Sequence, residues 1–196
     1  MIVVNITGAS GVILGVRLVE ELLGSGQKVG AIVSGAAKKV ISHEIPGAKN
    51  FTTLKALLLS RNPKVKAGRL REYAEDDLCA DIASGSCPFR AVAVVPCSMK
   101  SLAGFACGYA DSLIGRTVDV ALKENRQCVL VPRETPLNLI HLENLVKMKR
   151  AGADIVMPVP GFYTRPQSVD DVVDYVVGKI LNLLGIRHRL FKPWGD

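Results

Sequence analysis

The chain has few of the residues that stack on bases or hold metals. Only 5% of its 196 residues are aromatic, and there is one tryptophan and three histidines. The densest basic stretch, Arg61 to Arg71, contains no aromatic residue before Tyr73. It therefore lacks the alternation of rings and cations on which single-stranded nucleic acid stacks, so it reads as a solvated basic face and no nucleic-acid partner is expected. Five cysteines make an odd number, and no two form a CxxC pair. Cys87, Cys97 and Cys107 recur every ten residues, but no histidine stands at ligand spacing from them, so reduced, mostly buried thiols are expected and a metal is not. No apolar run approaches the ~18–20 residues of a membrane span. Met1 leads straight into a strand-like stretch without a charged leader, and a cytoplasmic protein with no membrane partner is the expectation.

What is abundant is apolar. Hydrophobic residues make up 48% of the chain, and the mean hydropathy of +0.26 is positive. The length suits one domain, residues 1–196, whose own interior needs less apolar surface than this. The surplus points to contacts between copies, hence a homo-oligomer. The net charge of +7 fits an anionic small molecule once nucleic acid is set aside.

Ile2 to Ile6 is a short β-branched run that stops at Gly8-Ala9-Ser10-Gly11, after which apolar residues recur at helical spacing through Leu23. Lys28 to Val33 reads as a second strand ending at Ser34-Gly35, followed by a helix from Ala36 to His43. Between Pro46 and Arg90 the pattern weakens to a helical Leu54 to Ser60, a basic loop and the small-residue loop Ala83 to Ser86. Ala91 to Val95 is an unbroken apolar strand of the kind buried on both faces, and it runs into a helix after Pro96-Cys97-Ser98. A helix from Ser112 to Glu124, the strand Cys128 to Val131, a helix from Leu139 to Arg150, the strand Ile155 to Met157 and a helix from Val169 to Leu184 complete the alternation. This predicts an α/β fold, a Rossmann-like (flavodoxin-like) three-layer sandwich on a parallel sheet.

Three strand ends carry hydroxyls into a helix start: Gly8-Ala9-Ser10-Gly11, Ser34-Gly35 and Ser98-Met99-Lys100-Ser101. Taken singly, each is compatible with an ordinary strand–helix turn. In an open parallel sheet such ends lie along one edge, where small residues admit a ligand and free helix N–H groups attract an anion. Val131-Pro132-Arg133-Glu134-Thr135-Pro136-Leu137 aims an arginine and a carboxylate at the same edge, either as a surface ion pair or as a phosphate grip beside a proton-transfer group. Tyr163, in Gly161-Phe162-Tyr163-Thr164-Arg165-Pro166, is equally compatible with packing and with donation to a phosphate.

Together with Ile140-His141-Leu142-Glu143-Asn144, these motifs, in this order, resemble the UbiX-type flavin prenyltransferases nearly end to end. That resemblance implies an enzyme, often dodecameric and independent of metal, that joins a dimethylallyl group from dimethylallyl phosphate to N5 and C6 of reduced FMN. Its product is the prenylated FMN used by UbiD-type decarboxylases, and older labels call the family a decarboxylase. Carried over by position, the FMN contacts are Gly8, Ala9, Ser10, Ser34, Ser98, Met99, Lys100, Ser101 and Arg133. Tyr163 and Lys179 correspond to the grip on the allylic phosphate, with Arg116 and Lys123 joining across a subunit boundary. Ser10, Glu44 and Glu134 match the polar active-site residues, and Trp194 matches an aromatic near the carboxyl end. Val12-Ile13-Leu14 departs from the family in lacking an aromatic after the glycine turn, and Lys179 stands where arginine is common.

The chemistry of the residues agrees with this. An allylic phosphate leaves positive charge on carbon and negative charge on oxygen, and Arg116, Lys123, Arg133 and Lys179 supply cations for the latter. Two other readings compete. An FMN-dependent decarboxylase of cysteine-bearing peptides or phosphopantothenoylcysteine typically has Pro-Ala-Ser-Ala-Asn-Thr after the buried strand, where this chain has Pro96-Cys97-Ser98-Met99-Lys100-Ser101. A non-catalytic binding protein would be either a flavin carrier or a basic nucleic-acid binder using the Arg61 to Arg71 stretch.

Overall fold

The computed structural model describes residues 1–195. Six parallel strands form one sheet in the order β3-β2-β1-β4-β5-β6. They are β1 (Ile2–Ile6), β2 (Val29–Val33), β3 (Leu70–Tyr73), β4 (Ala91–Cys97), β5 (Gln127–Pro132) and β6 (Asp154–Ile155). The helices are α1 (Val12–Gly24), α2 (Gly35–Glu44), α3 (Leu54–Arg61), α4 (Met99–Ala106), α5 (Leu113–Lys123), α6 (Leu139–Arg150) and α7 (Val169–Leu183). The doubly wound α/β sandwich expected from the alternation is present.

The strand β3 is the element that periodicity missed. Its Leu-Arg-Glu-Tyr sequence has two exposed and two half-buried residues, because it is an edge strand with no apolar run to announce it. The five strands read from the sequence are arranged in the flavodoxin order 2-1-3-4-5, and β3 added at the edge turns this into the Rossmann order 3-2-1-4-5-6. Either way the order reverses between β1 and β4.

β4 shows why an unbroken apolar strand is needed at the centre. Ala91, Ala93 and Val95 face the core beneath α1 and α7, whereas Val92, Val94 and Cys97 face the core beneath α4 and α5. Alternate side chains thus fill two separate interiors, the pattern of a strand covered on both faces. The cysteines are all free, but only Cys97 and Cys128 are buried; Cys87 is intermediate and Cys79 and Cys107 are exposed. The expectation of mostly buried thiols is corrected to that extent, since Cys79 and Cys107 lie outside the strands that line the core. The basic stretch is a surface held by local partners: Arg61 pairs with Glu20 at 3.2 Å and Arg71 with Asp81 at 2.7 Å. No described helix is long and apolar enough to cross a membrane.

Candidate functional site

The carboxyl ends of the strands open into a cleft of about 390 Å³ lined by Thr7, Gly8, Ser34, Gly35, Ser98, Lys100 and Ser101, with Glu75, Tyr109 and Asp111 opposite. It lies at the reversal point of the sheet, where open α/β sheets take ligands. The local sequence builds each wall. Gly8 packs so close to Ala36 that an added Cβ would overlap the alanine methyl, so the turn after β1 must begin with glycine. Gly11 has φ 89°, a conformation that disfavours a side chain. Ser34 and Ser98 cap their helices, accepting from Ala37 N at 3.0 Å and Ser101 N at 3.2 Å. The Ser98 and Ser101 hydroxyls meet at 3.0 Å. Met99 is the first residue of α4 and Ala9 is buried in the turn.

The Glu44 carboxylate comes back from the end of α2 to accept the Gly11 amide at 2.8 Å. It therefore stands close to exposed Ser10, the sequence neighbour of Gly11, and occupies one donor at the start of α1. Glu75 does the same at α2, accepting from Gly35 N at 2.8 Å. Sequence reasoning missed Glu75 because it follows the unrecognised strand β3. Asp111, Tyr109 and Ser112 were also missed, and a loop between two helices offers no spacing signal that would single them out.

Arg133 N donates to Cys97 O at 3.2 Å, which sets the end of β5 beside the Ser98 turn. Its Nε is buried without a partner, an unsatisfied cationic donor of the kind a phosphate or carbonyl oxygen would complete. Among the described residues Arg133 and Glu134 form no ion pair with each other; Glu134 Oε1 instead accepts from Thr135 N at 3.0 Å. The carboxylate is thus not held by the neighbouring guanidinium.

Tyr163 and Lys179 form a second group. The Tyr163 ring makes edge-on contacts with Tyr175 at 5.8 Å and Trp194 at 5.2 Å. It lines a cavity of about 700 Å³ with Arg165, Asp171 and the carboxyl-terminal Leu190 to Gly195. Interaction with the Tyr175 hydroxyl raises the Tyr163 phenol above its ordinary value, and the Lys179 ammonium works in the opposite direction. This group follows β6 on the same side of the sheet as the cleft but does not line it.

Arg116 and Lys123 are elsewhere. Arg116 donates to Ala83 O at 3.0 Å and pairs with Asp119 at 2.5 Å, while Lys123 pairs with Glu124 at 2.8 Å. α5 begins beside Glu75, whose carbonyl accepts Leu113 N at 2.8 Å, and runs back across the sheet. At 1.5 Å per residue, Lys123 lies roughly 15 Å from that start, towards the edge opposite the cleft. Within one chain neither cation joins the other site residues. Among the described residues no group of three or more His, Cys, Asp or Glu could hold a metal ion.

Residues 1–181 match the Flavoprotein family. The flavin prenyltransferase UbiX of Methanocaldococcus jannaschii is 44% identical over 194 residues, covering 99% of this chain and 98% of the relative. Two solved structures superpose with a TM-score of 0.87. One is a dodecameric FMN-dependent UbiX-like decarboxylase from Escherichia coli O157:H7, 39% identical over 100% of this chain and 99% of its own. The other, AnUbiX (PadA1) in complex with FMN and dimethylallyl pyrophosphate, is 37% identical over 100% of this chain and 97% of its own.

Proposed function

Since the chain belongs to the Flavoprotein family and, within it, to the UbiX flavin prenyltransferases, we propose that it joins a dimethylallyl group to N5 and C6 of reduced FMN. It is a transferase and it binds FMN. The observation that carries the reading on the chain's own geometry is the cleft: Gly8, Ser34, Ser98, Lys100 and Ser101, from the turns after β1, β2 and β4, line it at the reversal point of the sheet. Cys97, beside Ser98, bonds the backbone of Arg133, whose Nε is buried without a partner. A phosphate-bearing ring compound satisfies such a site, because the turns offer N–H and O–H donors and the arginine completes its hydrogen bonding on an oxygen.

In this assignment Gly8, Ala9, Ser10, Ser34, Ser98, Met99, Lys100, Ser101 and Arg133 hold FMN. Tyr163 and Lys179 take the allylic phosphate. The reduced flavin supplies the electron-rich surface that a chain with 5% aromatics does not. The C–O bond of the donor breaks as a carbon–nitrogen bond forms, and the negative charge gathering on the phosphate is met by Lys179 and by the Tyr163 hydroxyl. Glu134, unpaired with Arg133, is placed to move a proton during ring closure. Ser10, exposed beside the glycine turn, and Glu44, holding Gly11 N, border the same region.

Arg116 and Lys123 serve a neighbouring subunit's site in a homo-oligomer, a dodecamer as in the Escherichia coli relative. The prenylated FMN would be taken up by a UbiD-type decarboxylase. Anaerobic incubation with reduced FMN and dimethylallyl phosphate, then mass analysis of the released flavin, tests the reaction. Gain of a five-carbon unit is expected, and flavin recovered unmodified would overturn it.

A further inference from the structure

We propose that Thr7 is the positioning residue of the cleft, acting on FMN through Ser98. The Thr7 hydroxyl donates to Pro96 O at 2.8 Å and accepts from Ser98 N at 2.8 Å. The Thr7 amide also donates to Pro96 O, at 3.2 Å. Thr7 is 2% exposed, and its hydroxyl proton and an acceptor lone pair are both engaged by the protein. It therefore holds the chain rather than the ligand.

Its place in the sheet explains why a side chain is needed there. The recorded ladder between β1 and β4 runs from Ile2 and Ala91 to Asn5 and Val94 and then stops. The pairing of β4 with β5 shifts register between Val94 and Cys97. Beyond that point the β1 exit is tied to β4 by the Thr7 N–Pro96 O bond, and β4 pairs with β5 again at Cys97 and Pro132. The Thr7 hydroxyl adds a side-chain bridge to that backbone bond, reaching both Pro96 O and Ser98 N. From Ser98 the constraint passes into α4 through the cap on Ser101 N, and from Cys97 O it passes to Arg133 N at the end of β5. One hydroxyl thus joins the first binding turn to the third, and the backbone of Cys97 carries the third to the fourth.

The inference rests on the flavin reading above, and its test separates the two. Thr7→Val keeps the shape and removes both hydroxyl bonds, leaving Ser98 N and Pro96 O with fewer partners. FMN affinity is measured by fluorescence titration, the bound flavin's environment by visible circular dichroism, and folding by melting of the FMN-free protein. Thr7→Val is expected to weaken FMN about tenfold or more, the usual scale for an unsatisfied buried donor, and to alter the dichroism. Thr7→Ser is expected to restore both. In a Ser98→Ala background the valine substitution should cost less, because the group it acts through is already truncated. If the valine variant does not fold, Thr7→Ala removes the same bonds with a smaller side chain. A folded variant lacking the hydroxyl that binds FMN with parental affinity and dichroism would overturn the role, as would a serine variant as impaired as the valine one. A parent chain that does not bind FMN would instead overturn the flavin reading.

Discussion

At the scale of single residues, the cleft separates holding from reacting. Ser10 is exposed in a turn whose neighbouring glycines are dictated by contact and by φ, so its side chain is free to face an anion. Ser10→Asp should abolish FMN binding by setting like charge against the phosphate; an equilibrium titration that finds parental affinity would place the cofactor elsewhere. In the proposed assignment Glu134 and Lys179 divide the chemistry. Glu134→Gln keeps size and hydrogen bonding but cannot exchange a proton, so single-turnover ring closure should slow by ~10²–10⁴-fold with substrate still bound. Lys179→Ala should slow adduct formation by losing charge stabilisation and leave FMN affinity intact, because Lys179 stands outside the cleft. If Glu134→Gln turns over like the parent, the proton passes through Glu44, Ser10 or the phosphate. Arg133 pairing is not an available explanation, as Glu134 bonds Thr135 N.

At the scale of elements, the start of α7 and the loop before it hold Tyr163, the proposed donor to the phosphate, in place. Gly161 lies so close to Tyr175 that an added Cβ would overlap the ring, and Tyr175 in turn contacts Tyr163. Gly161→Ala should therefore displace Tyr163, raising the apparent KM for dimethylallyl phosphate several-fold while FMN affinity in a titration stays parental. The same helix begins with a capping box: Ser168 Oγ accepts from Asp171 N at 3.2 Å, and Asp171 Oδ2 accepts from Gln167 N at 2.7 Å and Ser168 N at 3.0 Å. The Gln167 backbone bond leads the causes that hold the Asp171 carboxyl below its ordinary value. A group depressed in the folded state stabilises fully above its unfolded pKa, and that contribution is lost as pH falls through the folded one. Melting profiles from neutral to strongly acidic pH should show Asp171→Asn losing less stability than the parent over that interval. Equal losses would mean the box contributes nothing that titrates.

At the scale of the whole molecule, one chain leaves apolar surface uncovered and two cations away from its own cleft. Leu139, Ile140, Leu142 and Val146 on α6 are 46–69% exposed, and Met148 is that helix's one buried residue. Arg116 and Lys123 lie apart from the cleft of their own chain. A symmetric assembly answers both observations by burying the helix face and carrying cations to a neighbour's site. Light scattering at micromolar concentration should give a mass several times the 21.0 kDa of one chain. A monomer would remove the proposed role of those two cations and leave Tyr163 and Lys179 as the proposed phosphate grip.

The sequence by itself determined the alternation of strands and helices, the turns that end β1, β2 and β4, and the family. Those features are local: β-branched runs, helical periodicity and glycine or serine at a strand exit act over a few residues and are visible in one pass. Only the tertiary structure decided the rest. β3 forms because β2 offers it a free edge, which its polar sequence does not announce, and Glu75 enters the cleft only as a consequence. Glu44 reaches Gly11 across 33 positions of sequence, and Thr7 bridges to Ser98 across 91. Neither distance leaves a mark in periodicity, since both are created by strands that are neighbours in the sheet and remote in the chain. The separation of Lys123 from the cleft is of the same kind: it follows from the direction in which α5 crosses the sheet.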